Sequence, residues 1–126
     1  MTSPPLRLSP LAHTWMIDLD GVVFPHNGHL RGDHSLLPGV RELWAAIPAD
    51  DRIILMSARG LEHQATTLAV MAAEGLRVDH ALFGLPAGER ILINDAKPSG
   101  LITAHAINLA RDAGPGEVVV EVSPDL

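Results

Sequence analysis

The amino-acid sequence predicts a three-layer α/β domain, a parallel sheet of about five strands with helices on both faces. Two observations carry this. Apolar segments of strand length alternate with segments of helical period along most of the chain. The strongest strand-like runs, RIILMS at 52–57 and RILIN at 90–94, are apolar without alternation, as in strands buried on both faces. A chain of 126 residues suits one such domain and leaves little room for a second.

Each element follows in order. Residues 1–12, with Pro4, Pro5 and Pro10, read as an extended or mobile lead-in, and residues 13–126 as the domain. His13–Leu19 is a short apolar strand. Phe24–Arg31, with Pro25, Asn27 and Gly28, is a turn or small hairpin. Pro38 marks a helix start. Val40, Leu43, Trp44 and Ile47 share one helical face, and Pro48 ends it. Arg52–Ser57 is the second strand. Leu61–Ala73 is a helix with Leu61, Ala65, Leu68 and Ala72 on one side and Gly75 beyond its end. Val78–Phe83 and Arg90–Asn94 are strands three and four. Leu101–Arg111 is a helix stopped by Gly114 and Pro115, and Glu117–Val122 is the fifth strand.

Composition narrows the function. Hydrophobic residues make up 47% and charged residues 19%, enough for a folded core. Aromatics are only 3%, so aliphatic side chains must build that core. A net charge of -6 argues against nonspecific nucleic-acid binding. The absence of cysteine removes disulfides and thiolate metal sites. No apolar stretch approaches a membrane span, and MTSPPLRLSP lacks the apolar core of a signal peptide, so no membrane partner and a cytoplasmic location are expected.

In open parallel sheets, ligands bind beyond the carboxyl ends of the strands. Asp18 and Asp20 close the first strand, Ser57 the second, and Asn94 and Asp95 the fourth. Three strands thus deliver polar, mostly acidic groups to one edge. Each has a plain structural reading: a surface turn for Asp18 and Asp20, and a helix cap or turn for Ser57 and Asp95. Convergence favours a site. Seven histidines invite a metal reading, above all His26, His29 and His34, but their spacing fits no ligand motif. They are expected in a solvated loop, with one of them touching substrate. Trp44 is expected in the core.

Over residues 13–122 the chain resembles the haloacid dehalogenase-like hydrolases, mostly phosphatases, whose fold is Rossmann-like. DLDGV at 18–22 is similar to the family's first motif, Ser57 at the end of IILMS to its second, and LIND at 92–95 to its fourth. The longer run GERILINDAKP is similar to small bacterial members associated with sugar-phosphate and capsule-type metabolism. The resemblance implies a nucleophile at Asp18 that forms an aspartyl-phosphate. It implies a general acid and base at Asp20, and a phosphate donor at Ser57. It also implies Mg2+ on the carboxylates of Asp18 and Asp95 and the backbone carbonyl of Asp20. Gly21 would let the backbone turn against the ligand.

The chain departs from the family in its third motif, which supplies a lysine upstream of the fourth strand. The sole lysine, Lys97, follows that strand. Lys97 is the first choice for the role. Arg59 and Arg90 are the other candidates for it; Arg59 is otherwise expected to contact substrate or cap the loop, and Arg90 to enter the fourth strand from the opposite edge. No acidic residue follows within a few positions of Asp95, so magnesium would keep more water. Only 36 residues separate Asp20 from Ser57 and 37 separate Ser57 from Asp95, too few for a cap domain in either place.

The expectation is a capless, magnesium-dependent phosphomonoesterase acting on a small phosphorylated metabolite, a sugar phosphate among the candidates. A homo-oligomer would close its open site. The rivals are a phosphotransferase using the same intermediate and a catalytically silent binding or regulatory module.

Overall fold

The computed structural model describes residues 5–126. It is a mixed α/β molecule whose five strands divide into two parallel sheets rather than forming one. The larger sheet has the order β2–β3–β4, from Thr14–Asp18, Arg52–Met56 and His80–Leu82. Asp18 pairs with Met56, and Met56 with Leu82, so all three strands end at one edge. The smaller sheet pairs β1, Leu6–Leu8, with β5, Val120–Val122. The expected lead-in is therefore structured from Leu6 to Leu8; its first four residues lie outside the described residues.

Two α-helices connect the three-stranded sheet: α1, Val40–Ala46, and α2, Gln64–Ala73. Consecutive parallel strands joined by right-handed crossovers place both helices on one face. The burial agrees. Ile17, Ile53 and Leu55 point into a core shared with Val40 and Leu43 of α1 and Met71 of α2. The opposite face carries Met16 and Leu82, 46% and 45% exposed. Two layers are present there, not three.

α2 turns a different side inward than its apolar spacing suggests. Thr67 and Met71 are buried, whereas Leu61, Ala65 and Ala72 are exposed. The reason is polar: the Thr67 hydroxyl is the partner of a buried arginine described below. Gly39, at φ 87°, caps α1 in the left-handed conformation and lies so close to Gly116 that a Cβ would meet its Cα at 2.5 Å. That close approach clamps the 112–118 segment onto the start of α1.

The largest difference lies between residues 86 and 110. Neither the fourth strand, Arg90–Asn94, nor the third helix, Leu101–Arg111, is formed, and the segment runs irregular and mostly exposed. Both periodicities are strong, yet among the described residues this segment is paired with no strand and packed against no helix.

At the amino edge of the larger sheet, Asp51 is buried and joins two strands. Its carboxylate accepts the backbone N–H of His13 at 3.0 Å, the His13 ring nitrogen at 2.8 Å and Trp15 Nε1 at 2.9 Å. Burial pushes this carboxyl up, but the donations from Trp15 and His13 outweigh it and hold its pKa below the ordinary value. Because the folded pKa is depressed, the stabilisation is present above the unfolded value, about 3.9, and fades as pH falls through the folded one. Asp51→Ala should therefore cost about 2–3 kcal/mol near neutral pH, on the scale of hydrogen bonds to a buried charge. Denaturant titrations should show the gap to wild type closing below about pH 4.

Candidate active site

The carboxyl edge of the larger sheet opens into a cleft of about 640 Å3. Asp18 ends β2 and faces this space. Its Oδ1 accepts the backbone N–H of Leu19 at 3.0 Å. Asp18 is exposed to the cleft yet partly desolvated by the residues around it. That burial pushes its pKa up, opposed by the charge of Arg90 and the Leu19 donation, with Asp20 pushing the same way as burial.

The turn after β2 is made by Gly21, at φ 82°. Its N–H donates to the Phe24 carbonyl at 2.8 Å, and the N–H of Val23 donates back to Leu19 at 2.9 Å. A side chain here would be strained by the positive φ, and its Cβ would sit 3.4 Å from Cγ of Arg111. Gly21 thus lets Asp20 and Arg111 share one wall of the cleft.

Arg59 is not a free substrate contact, and its place is nearer the other role expected for it, holding the loop. Only 4% of it is exposed. Its Nε donates to both Asp20 oxygens at 3.2 and 3.1 Å, and Nη2 to Asp20 Oδ1 at 2.8 Å. Nη1 donates to Thr67 Oγ1 at 3.0 Å, and the guanidinium lies 5.6 Å from the centre of the Phe24 ring. The fork orients Asp20 from behind and ties the first loop to α2. Ser57 is fully buried, and its Oγ accepts the N–H of Arg59 at 2.9 Å. It holds the loop that presents Arg59 and does not line the cleft.

Two expected residues lie elsewhere. Asp95 is exposed in the irregular segment, its carbonyl bonded to the Thr103 hydroxyl. Lys97 is exposed in a turn closed by the Gly100 N–H at 2.9 Å. Neither lines the cleft. Arg90 does, although a position at the opposite edge was expected. Without a fourth strand the chain stays at the carboxyl edge, and Arg90 is steadied by its own Nη1 donating to Pro86 and Gly88 carbonyls at 2.9 and 2.8 Å.

The sequence did not point to Arg111 or His63 as cleft residues, and of the loop histidines it gave only one to the substrate, whereas two, His26 and His29, line the cleft. His26, His29 and His63 line it, and His29 stacks edge-on against His63 with ring centres 4.9 Å apart. Burial, then the neighbouring Arg59, lowers the pKa of His29, and its Nδ1 has no hydrogen-bond partner. The signal for Arg111 was its neighbour. Asp112, at φ 64°, donates its N–H to Gly21 at 2.9 Å and accepts the N–H of His26 at 2.8 Å, which brings Arg111 to the first loop.

The cleft therefore sets two carboxylates, Asp18 and Asp20, against three guanidiniums, Arg59, Arg90 and Arg111. In a chain of net charge -6 this is a local excess of positive charge. Among the described residues, no three His, Asp or Glu side chains converge to hold a metal ion. Of the two carboxylates in the implied set, Asp18 faces the cleft and Asp95 lies apart. The oxygen set implied for magnesium is thus incomplete within one chain. Compared with known families, curated proteins and solved structures, the chain matches none.

Removing the Arg59 fork should leave Asp20 unpaired and Thr67 without its donor. Arg59→Met is expected to destabilise the fold by about 3 kcal/mol, the lower end for breaking a buried pair because Asp20 keeps some solvent. Chemical denaturation of the variant measures this.

Proposed function

We propose that the chain is a phosphomonoesterase acting on a small phosphorylated metabolite. One observation supports this most: Asp18, an open carboxylate at the carboxyl edge of a parallel sheet, shares its cleft with Arg90 and Arg111. A phosphate monoester is an anion that needs such cations, and an anionic nucleophile can approach it only once its charge is offset.

In the proposed reaction an Asp18 oxygen attacks phosphorus while the bond to the leaving oxygen breaks. A proton on Asp20 passes to that oxygen. Asp20 then takes a proton from water, which attacks the aspartyl-phosphate, releases inorganic phosphate and restores Asp18. Arg90 and Arg111 bind the phosphoryl oxygens, and Arg59 fixes the direction of Asp20. Gly21 keeps the backbone close to the reacting group.

The requirement for magnesium is part of the proposal, but its ligands are not assembled within one chain, so no step is derived through it. Helices on both faces of the sheet are likewise proposed for the working molecule rather than for the isolated chain. A second reading, an anion-binding module without turnover, draws on the Arg59–Asp20 ion pair, which occupies the carboxylate that the acid step needs.

Asp18→Asn should preserve the fold and remove turnover of aryl phosphate by a factor of at least about 10^3, since an amide cannot accept the phosphoryl group. Retention of most of the rate would exclude the aspartyl-phosphate. Binding of phosphate by a wild-type protein with no phosphate release would select the module reading instead. Chelation should abolish turnover, with magnesium restoring it better than zinc or calcium, because the donors implied for the metal, Asp18, the Asp20 carbonyl and Asp95, are all oxygens. Undiminished phosphate release in excess chelator would remove the metal from the proposal.

A further inference from the structure

Residues 90–94, RILIN, have the composition of a strand buried on both faces, yet Ile91 and Ile93 are 84% and 91% exposed. A contiguous apolar segment held out in water marks a contact. The same molecule has a surface that matches it. Among the described residues β2 is an edge strand, paired only with β3, and the sheet face bearing Met16 and Leu82 is uncovered.

The chain cannot close this gap on itself in the parallel sense. The Gly84 N–H donates to the Arg59 carbonyl and that of Leu85 to the Ser57 carbonyl, which fixes both residues at the carboxyl end of β3. Leu85 to Arg90 is five residue steps, a reach of about 17 Å. The amino end of a strand beyond β2 lies about 19 Å away even on a line through the sheet itself. A parallel connection normally needs a dozen residues or more.

A second copy removes the obstacle. Two sheets placed side by side about a twofold axis, with their β2 strands antiparallel, bring the carboxyl edge of one level with the amino edge of the other. An arm leaving one copy at its carboxyl edge then runs down parallel to the β2 of the other. The arm must return to its own chain, because Asp112 is bound to Gly21 and His26. Residues 96–111 provide that crossover, long enough for the helix expected at 101–111, which would cover the bare sheet face.

We propose that the protein is a dimer of two copies of this chain that exchange residues 86–110, each arm adding a strand beside the other copy's β2. Closed twofold exchange of identical elements is a common route to dimers. Aligning Asp95 with Asp18 sets Ile93 opposite Met16. The arm then carries Asp95 to the partner's Asp18, which completes a shared site; this last consequence rests on the phosphatase reading.

The chain has no cysteine, so a Met16→Cys, Ile93→Cys double variant reports this pairing cleanly. Oxidation should give a covalent dimer on a non-reducing gel, and neither single variant should do so. A product at single-chain mass, or no cross-link, would overturn the exchange. Light scattering should give the dimer mass for wild type and the monomer mass for Ile93→Lys, with the circular dichroism of the two-helix core retained. A wild-type monomer at all concentrations would also overturn it. Asp18→Asn and Asp95→Asn proteins, unfolded and refolded together, should recover about one quarter of wild-type turnover, because half the dimers are mixed and each has one intact site. An active wild type with no recovery in the mixture would reject the shared site. A covalent dimer with no wild-type turnover would uphold the exchange while the phosphatase reading fails.

Discussion

The buried guanidinium of Arg59 organises the carboxyl edge of the larger sheet. A planar cation with five N–H donors can satisfy several acceptors at once in a fixed geometry, which a lysine cannot. Here the acceptors come from the first loop, through Asp20, and from α2, through Thr67. Phe24 supplies an aromatic face. Ser57 holds the Arg59 backbone. The direction of Asp20, the rotation of α2 about its axis and the seating of the first loop therefore follow from one side chain. Its neighbours share that dependence: Phe24 is fully buried against the core, so moving Arg59 would disturb packing as well as charge.

The same interaction explains what the sequence reveals and what it hides. Apolar runs are local signals, and strands at 14–18, 52–56 and 80–82 and helices at 40–46 and 64–73 fall within the segments read from them. The pair Asp18 and Asp20 is legible because a strand must end where its apolar run ends, and Gly21 supplies the turn. The inward face of α2 was not legible, since Thr67 is buried for the sake of Arg59 and no helical periodicity encodes a partner eight residues upstream. Arg111 was hidden for a related reason. Its place in the cleft depends on Asp112 gripping Gly21 across ninety-one positions of sequence.

The segment from 86 to 110 is a different kind of discrepancy. The strand and helix signals there are as strong as those in the core, so local preference and observed conformation disagree. Propensity decides little when an apolar strand has no neighbour with which to share backbone hydrogen bonds. The short link after β4 denies it the parallel place beside β2 of its own chain. That Lys97 and Asp95 lie away from the cleft has the same origin, because both travel with this segment.

Charge follows the same geometry. Within one chain the cleft already holds Arg59, Arg90 and Arg111 against two carboxylates, and the first of these is spent on Asp20. Arg90 and Arg111 remain unopposed there except by Asp18, which makes the cleft electropositive without a lysine. Bringing Asp95 beside Asp18 would cancel that excess, three carboxylates then standing against three guanidiniums, and would place a second carboxylate against Asp18. Two close carboxylates disfavour each other's ionised forms unless a cation lies between them. An anion site built only from Arg90 and Arg111 would need no such cation, whereas a site completed by Asp95 would require one. On the proposed exchange, metal dependence and assembly would be coupled: a divalent ion would be required only where the arm carrying Asp95 docks.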